Sequence, residues 1–340
     1  MKGVAISCVV LGHCIQFGSG GAYMESSAFF EHPLFRMIYS WHMPLFMLIS
    51  GYLFGLSITR HSFLTLLRRR ARQLLLPILS WGTLGTVMFF LAYPDRVIPL
   101  KNIVINWLTH VFFGSWFIWA LLFLSLFVLM VHHFLHDCIF IYVVAFILTF
   151  FVPNMWNMNL YMFMYPFFVV GYMTFRREWM HQIDWRKYNN HIFILLGISY
   201  MILFSGFHYS AYIYTSGYSI FLHYRTGDIV IWKFWNDLFR MTIGFWGSGL
   251  VMLIIWKVWR HTKQFQLWKG LQKLGRASLA IYLFSDAVIN GYFLQWITKS
   301  ASPSLLWNAF ETVAVLLICY FTYRLLEYFS WGRKIFLGGR

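Results

Sequence analysis

Charge is what this sequence has least of. Only 11% of its 340 residues are Asp, Glu, Lys or Arg, against roughly 25% in soluble domains. Acidic residues are scarcest, 11 against 27 Lys and Arg. A soluble chain must cover its surface with polar groups, and too few are present to do so. Disorder fails on the same ground, because 60% of the residues are hydrophobic. Cysteine is sparse as well. Cys8, Cys14, Cys138 and Cys319 lie in or beside apolar runs, which excludes a secreted disulfide framework. No CxxC occurs and no Cys/His cluster has zinc spacing, so no metal and no bound cofactor are expected. The composition leaves a membrane protein.

Long apolar runs take the place of the missing charge. Stretches of spanning length fall at roughly 3–17, 37–56, 74–93, 115–135, 138–153, 157–175, 192–208, 238–256, 277–297 and 304–323. They predict an all-α, polytopic membrane protein of about ten transmembrane helices. The first run is short for a roughly 30 Å hydrocarbon core, and no small-residue cleavage site follows it as in a signal peptide. No soluble domain is expected at either end, so residues 1–340 read as a single transmembrane domain.

The distribution of basic residues sets the orientation. With the N-terminus in the cytoplasm, the inside segments hold Lys2, then Arg60, Arg68, Arg69, Arg70 and Arg72, then Arg176, Arg177, Arg186 and Lys187. They also hold Lys257, Arg260, Lys263, Lys269, Lys273 and Arg276, and finally Arg324, Arg333, Lys334 and Arg340. That is 20 of the 27 basic residues, the asymmetry the positive-inside rule describes. Both termini are therefore expected in the cytoplasm. The basic excess is a matter of topology, and no nucleic-acid partner is implied.

Ionisable groups within spans are costly, so each is a functional candidate. The set is His13, His42, Arg240, Asp286 and Glu311. His42 reads equally as a buried imidazole satisfied by a carbonyl. Arg240 is expected to pair with Asp286 or Glu311 and neutralise buried charge. Ser50-Gly51 is expected to allow close helix packing. The outer segment 209–237 is rich in Tyr and Trp. It reads either as an interfacial aromatic belt or as a platform for sugar rings, with Tyr212 and Trp232 as candidate acceptor contacts.

Lys2 and His13 are eleven residues apart. At 100° per residue they project within about 20° of each other, separated by roughly 16 Å of rise. A cation at the cytoplasmic mouth and a base deep in the protein would then line one wall. Such a wall suits a long thioester donor, whose phosphates would stay at the entrance while its acyl end reaches the imidazole.

The opening KGVAISCVVLGH (Lys2 to His13) resembles the first-helix signature of the acyltransferase-3 family of integral membrane acyltransferases: a basic residue, ten others, then His. The likeness continues through WHMPLFMLISGYLF (Trp41 to Phe54), RRRARQLLLPILSW (Arg68 to Trp81) and WFIWALLF (Trp116 to Phe123). It extends to FFVVGY (Phe167 to Tyr172) and LGRASLAIYLFSD (Leu274 to Asp286). Many relatives carry a His near the point occupied here by Ser285 and Asp286, so no catalytic His is assigned there. Relatives also often carry residues, including an acidic one, ahead of the Lys2 position.

The resemblance implies a ten-span fold, acyl-CoA as co-substrate, and a glycan or lipid-linked glycan acceptor. It is closest to the O-acetyltransferases of bacterial surface polysaccharides and implies a plasma (inner) membrane location. It assigns the essential imidazole to His13 and the donor-binding cation to Lys2. Arg68, Arg69 and Arg70 are further candidates to hold CoA phosphates, although the positive-inside rule alone would place them there. His42, Arg240, Asp286 and Glu311 are candidates for site support. Two other functions suit ten spans with buried charge, a glycolipid flippase or exporter and a non-catalytic partner in glycan assembly. Neither needs a deep base aligned with a cytoplasmic cation.

Overall fold

A computed structural model describes residues 1–18, 28–92, 99–152, 156–178, 185–218, 230–285 and 304–339. Among these residues the regular structure is helical, without strands. Ten helices carry the argument: α1 (Lys2–Gly18), α2 (His42–Ile58), α3 (Phe63–Ala92), α4 (Trp116–Leu135), α5 (Ile139–Thr149), α6 (Met158–Arg176), α7 (Trp185–Ser205), α8 (Val230–Thr262), α9 (Gln266–Phe284) and α10 (Leu305–Tyr328). Each overlaps one of the apolar runs expected from sequence, α9 only in its last eight residues. Among the described residues, five stretches are long and apolar enough to cross a bilayer: Pro33–Ile58, Phe63–Leu91, Trp116–Leu135, Lys233–Thr262 and Leu305–Tyr328. Lys2–Gln16, Ile139–Thr149 and Asn190–Ser205 are shorter apolar helices. The second half of the run at 277–297 lies outside the described residues.

Several helices extend beyond their apolar cores. The basic residues Arg68–Arg72 are the first turns of α3, not a loop. Lys257 and Arg260 end α8, and Lys269, Lys273 and Arg276 open α9 after a three-residue break. Lys and Arg are good helix formers, and an unbroken helix keeps its backbone groups paired up to the polar end.

α10 shows why such a sequence needs lipid. It turns Leu306, Phe310, Val313, Leu317 and Phe321 outward, with Leu306 84% and Phe321 70% exposed. It buries Asn308, Glu311 and Thr312 instead. A helix with its apolar stripe outside and its polar stripe inside is stable only when the outside is hydrocarbon.

The chain forms two compact units. One comprises residues 39–68 and 120–265 together with Met1, and its centre is the crossing of α2 and α6. A Cβ on Gly51 would overlap the Phe168 carbonyl, and a Cβ on Gly171 would overlap the Leu48 carbonyl. Apolar side chains gain little by leaving lipid for one another, so close backbone approach at small residues supplies the packing. Phe54, Phe167, Phe168 and Tyr172 fill the space around the crossing and are fully buried.

The other unit comprises residues 2–38, 69–119 and 266–340. In it α1 packs along α9 and α10. Gly3 sits directly on the Leu271 carbonyl, where no Cβ would fit. Pro77 interrupts α3 and leaves the Gln73 carbonyl without its helical donor. There Gly338, at φ +65°, packs onto the Gln73 backbone. The C-terminal segment is also tied to α3 by Ser80 Oγ donating to the Ile335 carbonyl (3.1 Å) and Trp81 Nε1 donating to that of Phe336 (3.1 Å).

Candidate functional site at the α1–α10 contact

α1 runs without interruption from Lys2 to Gly18, so the common face of Lys2 and His13 holds and about 16 Å of rise separates them. His13 is half-buried, and Gln16, one turn further on and fully buried, is its polar neighbour. Cys14 points to α10, where it lies within hydrogen-bonding reach of Thr312 and in the field of Glu311. Asn308, Glu311 and Thr312 are 2%, 4% and 8% exposed. Their i, i+3, i+4 spacing puts all three on one face of α10. Glu311 has the Trp307 indole beside it. The unit thus gathers an imidazole, an amide pair, a thiol, a hydroxyl and a carboxylate at its centre.

Lys2 stands against Gly275 of α9, at the opposite end of α1 from His13. Arg68 and Arg69 are exposed on the first turns of α3 and Arg70 is half-buried. Arg69 and Arg70 belong to the same unit as Lys2 and His13; Arg68 belongs to the other. Arg72, next on the helix, has its guanidinium against Gly339.

The remaining candidates separate. His42 lies in the other unit, 3% exposed and edge-on to Tyr39 at 4.6 Å between centroids. Tyr39 in turn meets Tyr212 at 5.7 Å. Tyr212 is itself only 3% exposed and packs on Tyr214, so its ring is spent on this aromatic cluster. Asp286 and the Trp232 side chain lie outside what is described.

Arg240 corrects the sequence reading. Its counter-ion is Asp237, one turn back on α8. It also donates to the Gly217 carbonyl (2.6 Å), which accepts from Lys233 Nζ as well (2.5 Å). Hydropathy starts this span at 238 and leaves Asp237 in the outer segment. Extension of α8 to Val230 places Lys233, Asp237 and Arg240 on one helix face, all buried.

A second network escaped sequence reading. In the reversal from α4 to α5, His136 and Asp137 take left-handed backbone conformations (φ 47° and 58°), and Asp137 turns inward to 5% exposure. Its Oδ2 meets His132 Nδ1 (2.8 Å) and accepts from Arg176 Nε (3.0 Å). Its Oδ1 accepts from the hydroxyls of Tyr172 (2.8 Å) and Tyr142 (3.1 Å). Burial would raise this carboxyl, but hydrogen bonds from His132, Arg176 and Tyr172 outweigh it and hold it below the usual carboxylate range. Among the described residues no three His, Cys, Asp or Glu side chains gather as metal ligands would.

Comparison with known proteins decides the family. The acyltransferase-3 profile, described as an acyltransferase domain, matches residues 1–324. The chain belongs to the acyltransferase-3 family. It is 30% identical over 292 residues to nodulation protein NolL of Mesorhizobium japonicum, covering 84% of this chain and 74% of that protein. It is 35% identical over 128 residues to nodulation protein NolL of Sinorhizobium fredii, covering 36% of this chain and 32% of that one. No solved structure matches. Family membership makes the chain a membrane acyltransferase.

Proposed function

We propose that this acyltransferase moves an acetyl group from cytoplasmic acyl-CoA to a hydroxyl of a cell-surface polysaccharide or its lipid-linked precursor, in a bacterial plasma membrane, with His13 as general base. The observation that carries the reading is the unbroken α1, with Lys2 at one end and His13 on the same face about 16 Å away. Both termini are taken as cytoplasmic, which puts Lys2 at the donor's side.

A glycan hydroxyl is a weak nucleophile. A neutral imidazole within hydrogen-bond reach accepts its proton as the oxygen attacks the thioester carbonyl. The tetrahedral intermediate then collapses, the C–S bond breaks, and the departing CoA thiolate takes the proton back from the imidazolium. Lys2 and the first turns of α3 supply cations for the CoA phosphates. The buried polar face of α10 lies against α1 at Cys14, next to the base. A route through a covalent acyl carrier is chemically open as well; it differs in forming an acyl-protein before any acceptor is added.

The test is consumption of labelled acetyl-CoA by the purified protein, with release of CoA and transfer of label to surface glycan from a deletion strain. A flippase or a non-catalytic partner leaves acetyl-CoA intact. Label retained on the protein without acceptor identifies the covalent route.

A further inference from the structure

α3 is crossed, in the unit that holds His13, by a rare piece of helix. Residues His110–Gly114 form a π-helical turn between the helix Leu100–Thr109 and α4. Such turns recur where a wider helix exposes backbone or re-aims a side chain for function. Two glycines of α3 receive it. A Cβ on Gly82 would lie 2.6 Å from Val111 Cγ2, and one on Gly85 would lie 2.8 Å from His110 Cδ2. Trp119 Nε1 donates to the Val111 carbonyl (2.8 Å), closing a backbone group that the interrupted helix leaves open.

A cavity of about 240 Å³ results, walled by Trp81 and Gly82 of α3, Thr109, whose hydroxyl donates to the Ile105 carbonyl, His110, Gly114 and Ser115, and Leu283 of α9. Its polar groups are specific. His110 Nδ1 lies 3.0 Å from the Asn106 carbonyl, which can only accept, so the proton is on Nδ1. In the neutral ring Nε2 is then an acceptor alone, and it has no partner among the described residues. The Ser115 hydroxyl likewise makes no hydrogen bond among them, although Ser115 is only 4% exposed.

The cavity stands at the level of His13. α9 packs along α1 with Leu271 and Gly275 against Gly3, and only five residues of α9 precede Leu271, so the two helices run parallel. From these contacts to Leu283 is about 12–18 Å of rise, and from Lys2 to His13 about 16 Å.

We propose that this cavity holds one sugar ring of the acceptor, with His110 Nε2 accepting a hydrogen bond from a ring hydroxyl and the Ser115 hydroxyl completing the pair. His110 Nε2 demands a donor, and the Ser115 hydroxyl can donate or accept beside it; a sugar hydroxyl, itself donor and acceptor, answers both. Trp81 and Leu283 give the apolar wall that the C–H face of a sugar covers. His110 is a positioning residue in this account, since it orients the acceptor while the proton goes to His13. The inference rests on the glycan-acyltransfer reading for its biological meaning, but it is measured by binding.

The experiment uses the purified full-length protein in detergent, with the methyl glycosides of glucose, galactose, mannose and N-acetylglucosamine as probes. Binding is followed by saturation-transfer NMR, and CoA binding is measured in parallel as the control for folding. At least one glycoside should bind. His110→Leu should weaken it about tenfold, the worth of one neutral hydrogen bond, while His110→Gln, which keeps an acceptor, should largely restore it. Leu283→Trp, which fills the cavity and leaves every hydrogen-bonding group in place, should abolish it. All three variants should keep wild-type CoA affinity. The proposal is overturned if no glycoside binds, if His110→Leu or Leu283→Trp binds like wild type, or if CoA displaces the glycoside, which would make the cavity the donor's. Failure of the function itself is distinguishable: no acetyl-CoA would be consumed, yet the glycoside pattern would stand.

Discussion

Replacing Asp137 by Ala removes the acceptor for four hydrogen bonds at once, and their consequences are unequal. Arg176 and His132 are 46% and 28% exposed, so both regain water and their screened pairing counts for little. Tyr142 and Tyr172 are 4% and 0% exposed and cannot, but the Tyr172 hydroxyl keeps His132 Nδ1 at 3.1 Å, so only that of Tyr142 is stranded. An unsatisfied hydroxyl costs about 1–3 kcal/mol. With the residual charge-assisted contribution, about 2–4 kcal/mol of stability should be lost. Asp137→Asn keeps an acceptor for the tyrosines and should lose roughly 1–2 kcal/mol. Reversible unfolding in mixed detergent micelles reads both. The pH dependence has a definite sign. The carboxyl is held below its ordinary value, so its contribution is complete above the unfolded value of about 3.9 and fades as pH falls through the folded one. The gap between wild type and Asp137→Asn should therefore be constant from neutral pH to about 4 and close below it. A loss under about 1 kcal/mol in Asp137→Ala, or a gap that widens on acidification, would refute the clamp.

Other perturbations follow from the same geometry. Gly171→Leu should abolish accumulation of folded protein, since even a Cβ overlaps the Leu48 carbonyl; Gly197→Leu, with open space around it, is the control, read by size-exclusion profile. Asp237→Leu strands Lys233 and Arg240 without their carboxylate and should cost about 3–5 kcal/mol by the same unfolding measurement. Replacing all three by apolar residues should recover most of that loss. Lys2→Gln should raise the KM for acyl-CoA with little change in kcat, by up to the 1.5–3 kcal/mol of about one charge-assisted hydrogen bond, and Lys2→Arg should be milder. Initial rates with donor and acceptor varied separately decide it.

The helical class was legible, and with it the five described stretches that could cross a bilayer, because apolar runs of spanning length have few alternatives. The α1 geometry was legible because helix periodicity fixes it without tertiary information. Helix ends were not, and the error at Asp237 shows why: hydropathy marks where the hydrocarbon ends, whereas the helix continues into the polar zone. That shift hid the real partner of Arg240. The polar face of α10 was within reach, since Asn308, Glu311 and Thr312 repeat at helical spacing. The Asp137 network joins α4, α5 and α6, and its key residue sits in a three-residue reversal that no periodicity marks. The cavity beside His110 depends on a π-turn seated on two glycines, and glycine in an apolar helix does not announce its neighbour.

The central claim is that His13 is the base for acyl transfer. The direct measurement is transfer of labelled acetyl from acetyl-CoA to glycan of a deletion strain, by wild-type and His13→Ala protein matched for membrane abundance and CoA affinity. The account predicts transfer by wild type and a loss of at least about 100-fold in His13→Ala, the lower range for a general base, with CoA binding unchanged. Near-normal transfer by a folded His13→Ala protein would contradict it.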